Sequence, residues 1–143
     1  MEEMQLEPRA LGRSDYPTDY PLREVAVIAQ HCSGGVILGF TQFEATAGIW
    51  KPGTDGERPM DSKSPVLFPT PWNHLEAGIL FGLRLPLLIF REKGISGGVF
   101  DNGVTDVFVH DMPDASPKPS QLEGLREVFL KWRGRVSDHY YRL

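Results

Sequence analysis

Two short runs constrain what this chain folds into more than anything else in it. Val36-Ile37-Leu38-Gly39-Phe40 and Leu87-Leu88-Ile89-Phe90 are apolar without alternation. Successive side chains of a strand point to opposite faces, so a strand with one wet face alternates polar and apolar residues. A run that does not alternate predicts a strand covered on both faces, as in a parallel sheet beneath helices. A third strand is read at Asp106-Val107-Phe108-Val109-His110, with Val107 and Val109 on one face. Met4-Gln5-Leu6-Glu7 alternates briefly and reads as a short edge strand before Pro8.

Helical signals separate these runs. Leu22, Val25, Ile28, Ala29 and Cys32 recur at helical spacing, with Asp19 as the cap, Pro21 in the first turn and Ser33-Gly34-Gly35 as the stop. Gly12 to Tyr20 before it is a loop by composition. A central helix is expected from about Trp72 to Leu83. Thr70 caps its free donors, Pro71 fits its first position, and Leu85-Pro86 ends it. A last helix spans 120–141, opened by the capping-box spacing of Ser120 and Glu123, with Leu122, Leu125, Phe129, Trp132 and Val136 as its buried stripe. Residues 44–69 between the first strand and the central helix are rich in Gly and Pro and read as a long insert loop. Such a loop either walls a pocket or is a solvated flap. The order of elements implies one α/β domain over 1–143 with a mostly parallel sheet.

The central helix carries the residue of most chemical interest. At 100° per residue, Trp72, Leu75, Ile79, Leu80 and Leu83 share one arc, and Glu76 falls inside it. A carboxylate on a face meant for the interior loses its water unless something meets it. The plainer reading is a glutamate at the edge of the stripe, reaching solvent or pairing with an arginine. Open parallel sheets bind ligands beyond the carboxyl ends of their strands. That rule brings in Thr41 and Phe43 after the first strand, Arg91 after the second and His110 after the third. Trp72, one turn before Glu76, either stacks on a ring or packs in the core.

Composition narrows the classes. The net charge of −4 gives a nucleic-acid backbone no purchase. A single cysteine, Cys32, excludes an internal disulfide framework and a cysteine-cluster zinc site, and points to the cytoplasm. No apolar run reaches membrane-spanning length, and the acidic start is not a secretory signal. Gly-x-Gly-x-x-Gly, phosphate-loop and Gly-x-Ser-x-Gly motifs are absent. His31, His74, His110 and His139 are scattered, so no metal or cofactor is expected. What remains is a lone carboxylate beside an aromatic residue, which suits cleavage of an N-glycosidic bond. That reaction passes through an oxocarbenium-like sugar that one carboxylate stabilises or traps.

Thr70-x-Trp72-x-x-x-Glu76 resembles the Ser-x-Trp-x-x-x-Glu box of Toll/interleukin-1 receptor (TIR) domains. Glu76-Ala77-Gly78, with Gly82 and Pro86 before a strand, is also similar to the nucleoside 2-deoxyribosyltransferase-like relatives. The likeness to a bacterial TIR-like protein spans about Leu6 to His110. It implies a flavodoxin-like three-layer sandwich, N-terminally incomplete. The chain has Thr70 where serine is usual and a long insert before the box, and it lacks the opening strand and helix. With strand order 2-1-3-4-5, that loss leaves a gap in the middle of the sheet.

In both groups the glutamate is catalytic. The resemblance therefore implies an NAD glycohydrolase-like enzyme with NAD as substrate, Glu76 as its carboxylate, and Trp72, Phe43, Thr41, Arg91 and His110 around the nucleotide. It also implies homo-oligomeric assembly and a role in bacterial defence or signalling. Two other readings stay open: a non-catalytic nucleotide-binding or self-assembly module, and a deoxyribosyltransferase using Asp106 or Asp111 as a second carboxylate.

Overall fold

The computed structural model describes residues 5–10 and 20–142. Three α-helices, α1 (Pro21–Gln30), α2 (Pro71–Gly82) and α3 (Pro119–Tyr141), surround a small sheet. The sheet has the order β1-β6-β7, all parallel, formed by β1 (Gly35–Gly39), β6 (Leu87–Arg91) and β7 (Val109–Asp111). Gly35 pairs with Leu87 and Gly39 with Arg91, so the two unalternating runs lie side by side in register.

Each face of β6 feeds its own core. Leu87 and Ile89 join Ile37, Ala77, Ile95, Phe100 and Val109 beneath α2. Leu88 and Phe90 join Trp132 and Val136 of α3 on the other side. A strand buried on both faces cannot alternate, which is why Leu87 to Phe90 are all buried. Trp132 also donates its indole N–H to the Pro86 carbonyl at 2.9 Å, pinning α3 to the turn that enters β6.

Close packing fixes the glycines of β1. A Cβ on Gly35 would lie 2.4 Å from Leu80 Cδ1, and one on Gly39 would lie 2.4 Å from Phe100 Cε1. Leu80 therefore sits over the start of β1, while Phe100, itself edge-on to His74 of α2 at 5.4 Å, sits over its end. The early part of α2 thus lies toward the carboxyl end of β1.

Several boundaries differ from expectation. Met4 and Asp19 lie outside the described residues, as does the 11–19 stretch of the expected loop. Gln5 to Ala10 form a turn and irregular chain, not a strand, and the N-cap of α1 is Tyr20, with Pro21 at the first position. Leu22 is exposed. Residues 106–108 are not in the third strand, which starts at Val109; Asn102 Oδ1 accepts its amide at 3.1 Å. The cap of α3 is Lys118, whose amide donates to Gln121 Oε1 at 2.8 Å, so the reciprocal partner is Gln121 and not Glu123. Pro119 sets this start, since it fits a first helical position. Leu122, one turn in, stays exposed.

The insert is not an irregular loop. It folds into two antiparallel ribbons, one of β2 (Phe43–Ala45) with β5 (Val66–Phe68), the other of β3 (Ile49–Trp50) with β4 (Arg58–Pro59). The strands are only two or three residues long, too short for alternation to announce them. Leu67 bridges to Ile95 and packs on the core beneath α2, anchoring the base of this arm.

Candidate active site

The central helix forms where the sequence places it. Thr70 Oγ1 accepts the Trp72 amide at 3.4 Å, Pro71 occupies the first turn, and Arg84 closes the end with φ 59°. Its buried face, however, is not the expected arc. Trp72, Leu75 and Leu83 are exposed, and the residues pressed into the protein are Asn73 and Ala77. The reason is steric. Ala77 is completely buried in the core that includes Ile37 of β1 and Phe100. A bulky residue there would hold the helix off, so Trp72, Leu75 and Leu83 turn outward while Leu80, one turn on from Ala77, packs over β1.

This rotation leaves Glu76 half-buried beside the true interface. Loss of water pushes its carboxyl above the ordinary glutamate value. No hydrogen bond or ion pair meets the carboxylate among the described residues. Asn73, one turn earlier, is 8% exposed, and its Oδ1 has no donor within reach. A buried carbonyl without a partner is uncommon and costly. Thr70, Asn73, Glu76 and Leu80 line one wall of an open groove of about 1140 Å³ that runs along β1. The groove also touches Gln5 to Ala10, Val25, Ile28 and Ala29 of α1, and Trp132 and Val136 of α3.

The other expected site residues lie elsewhere. None of Trp72, Thr41, Phe43, Arg91 and His110 lines this groove, and neither does any residue of the 44–69 arm. Thr41 donates its amide to Glu92 Oε2 at 2.7 Å, a bond that holds the Glu92 carboxyl below its usual value. Phe43 is exposed, its ring tilted against that of Phe68 across the arm at 6.2 Å. Arg91 donates to the Phe100 carbonyl at 2.6 Å and pairs with Asp111 at 3.8 Å. His110 lies between the rings of Phe90 and Phe108, at 5.5 and 5.2 Å. Burial, then the nearby Arg135 charge, lowers its pKa against the opposing pull of Asp111.

Comparison with protein-family models, curated proteins and solved structures finds no match to this chain. The site must therefore be read from its own chemistry. It offers one unpaired carboxylate on the groove wall and, on the same helix, one unpartnered amide oxygen buried behind that wall. Among the described residues, no group of three or more His, Cys, Asp or Glu side chains is placed to hold a metal ion. No described helix is long and apolar enough to cross a membrane. Asn73 was missed in the sequence because a lone asparagine in an amphipathic helix carries no signal. Only its proximity to Ala77 in the packing reveals it.

Proposed function

We propose that this chain is a TIR-like N-glycosidase domain that cleaves the ribose–base bond of NAD or a related nucleotide, with Glu76 as the reacting carboxylate. The observation that carries the reading is Glu76 itself, an unpaired, partly desolvated carboxylate on the wall of a large groove. The sequence box around it, Thr70-x-Trp72-x-x-x-Glu76, supports the same assignment. So does the parallel β1-β6-β7 sheet with α2 on one face and α3 on the other, which fits half of a flavodoxin-like sandwich.

In this reaction the bond from C1′ of the ribose to the pyridinium nitrogen breaks, and its electron pair leaves with nicotinamide as a neutral base. The Glu76 carboxylate stabilises the positive charge left on C1′ or bonds to it. Water then adds to C1′ and releases ADP-ribose and a proton. Only ionised Glu76 does this work, so the acidic limb of activity is moved upward from the ordinary glutamate value by the carboxyl's loss of water.

The test is nicotinamide release from NAD, followed by chromatography, for the wild type and Glu76→Gln at high protein concentration. Release by the wild type alone is expected. Equal release by both removes Glu76 from the reaction.

A second reading, a nucleotide-binding or self-assembling module without turnover, is favoured by one observation. Arg91 and the Thr41 amide, two expected substrate contacts, are already satisfied inside the protein. NAD binding by calorimetry without release of nicotinamide would select it. The transferase reading would need a second carboxylate on the groove, and neither Asp106 nor Asp111 lines it.

A further inference from the structure

The two edges of the three-stranded sheet are unlike. The β7 edge is three residues long, carries His110 and Asp111, and so discourages further pairing. The β1 edge is five residues, Gly-Val-Ile-Leu-Gly, with no charge and no proline. That is the composition of a central strand, standing at an edge.

Along that edge the Leu38 carbonyl accepts the Phe40 amide at 3.1 Å, and the amides of Val36 and Leu38 and the Val36 carbonyl have no partner among the described residues. The Gly35 amide donates to the Pro86 carbonyl at 3.0 Å, and the Gly39 carbonyl accepts from the Glu92 amide at 2.9 Å. Hydrogen bonding alternates along a parallel strand, so Gly35, Ile37 and Gly39 face β6. The amides of Val36 and Leu38 and the carbonyl of Val36 therefore face outward.

What they face is the groove. On one side stand Val25, Ile28 and Ala29 of α1 and Leu80 of α2, beside Asn73 and Glu76; on the other stand Trp132, Arg133 and Val136 of α3. The helix α1 packs chiefly against α2. Gln5 to Ala10 line the groove as well.

We propose that this groove is a strand-acceptor site. It takes one extended, apolar segment of another polypeptide as a fourth strand beside β1, hydrogen-bonded to Val36 and Leu38. Apolar side chains on both faces of that segment would meet α1 and Leu80 on one side and Trp132 and Val136 on the other. The walls admit a lone strand. The folded edge of a second copy is a poorer fit, because helices flank the edge on both faces and Gln5 to Ala10 also line the space. The inference rests on the backbone edge and not on Glu76, and its readout is not turnover.

The experiment is amide hydrogen exchange by NMR on the full chain. The probe is a short end-blocked peptide of valine and isoleucine with terminal lysines; the control is the same peptide N-methylated at alternate amides. In the protein alone, Ile37 and Gly39 are protected by β6 while Val36 and Leu38 exchange freely. The peptide is expected to slow Val36 and Leu38 exchange by about tenfold or more, and the control to leave it unchanged. Leu38→Pro removes an outward amide that β6 does not use, so it should keep the fold and abolish binding. Unchanged exchange with the peptide overturns the proposal. So does equal protection by the N-methylated control, which indicates an apolar pocket without strand pairing. Protection that rises with protein concentration and no peptide also overturns it, in favour of a second copy.

Discussion

Replacing Asn73 by leucine tests the central feature of the site. The Asn73 oxygen is buried and unpartnered, and such a group costs about 1–3 kcal/mol in lost hydration. Leucine has the same branching and number of heavy atoms but no polar group to bury. It is also the better helix former, by up to about 0.5 kcal/mol. Its methyls are bulkier than the amide atoms, and shape changes of this kind cost under about 1.5 kcal/mol. The groove gives the side chain room on one side, so the penalty falls in the lower part of that range. The expected net effect is a gain of about 1 kcal/mol, raising Tm by roughly 2–5 °C for a domain of this size. Urea unfolding followed by far-ultraviolet circular dichroism measures the gain, and calorimetry the Tm. A loss of 1 kcal/mol or more would refute the reasoning, since it would mean that the Asn73 amide holds the fold together.

Gly39→Ala places a Cβ 2.4 Å from the buried Phe100 ring, and should destabilise by about 1–3 kcal/mol in the same urea assay. Glu76 has a raised folded pKa, so its contribution is fully present below the unfolded value and is lost as pH rises through the folded one. Glu76→Gln should therefore flatten stability against pH in the carboxylate range and leave the protein no less stable at neutral pH. His110 is shifted the other way: its folded pKa is lowered, so stability rises with pH between the folded value and the ordinary one near 6.5. His110→Asn should remove that slope in thermal melts taken across this window. Trp132→Phe keeps the ring packing but removes one of the two donors to the Pro86 carbonyl, which retains the Gly35 amide, at a cost of about 0.5–1.5 kcal/mol by urea unfolding.

How much of this was legible in the sequence depends on what kind of signal each part gives. The runs at Val36 and Leu87 became adjacent parallel strands because burial on both faces leaves an unmistakable pattern. The Thr70 cap and Pro71 start held because they act within a few residues of each other. The face of α2 did not follow its large apolar residues. Packing against β1 is decided by how close the backbones come, and small Ala77 and Gly35 allow that approach while Trp72 and Leu75 do not. The arm of residues 43–68 was invisible because pairing of such short strands is settled across the ribbon, not along it. Arg91 and Thr41 illustrate the same limit at the site. Their positions at strand ends were readable, but their partners, Phe100 and Glu92, were fixed only by the tertiary fold.

The arm also changes how the sheet is reached during folding. Gly35 and Leu87 must meet across about 52 residues of intervening chain before β1 and β6 pair. The ribbon of Phe43 with Phe68 is local and closes off about 25 of them first. Roughly halving the span lowers the entropy of loop closure by about 0.6 kcal/mol. The insert that lengthens the chain therefore shortens the search, and weakening the Phe43–Phe68 pairing should slow refolding more than it speeds unfolding.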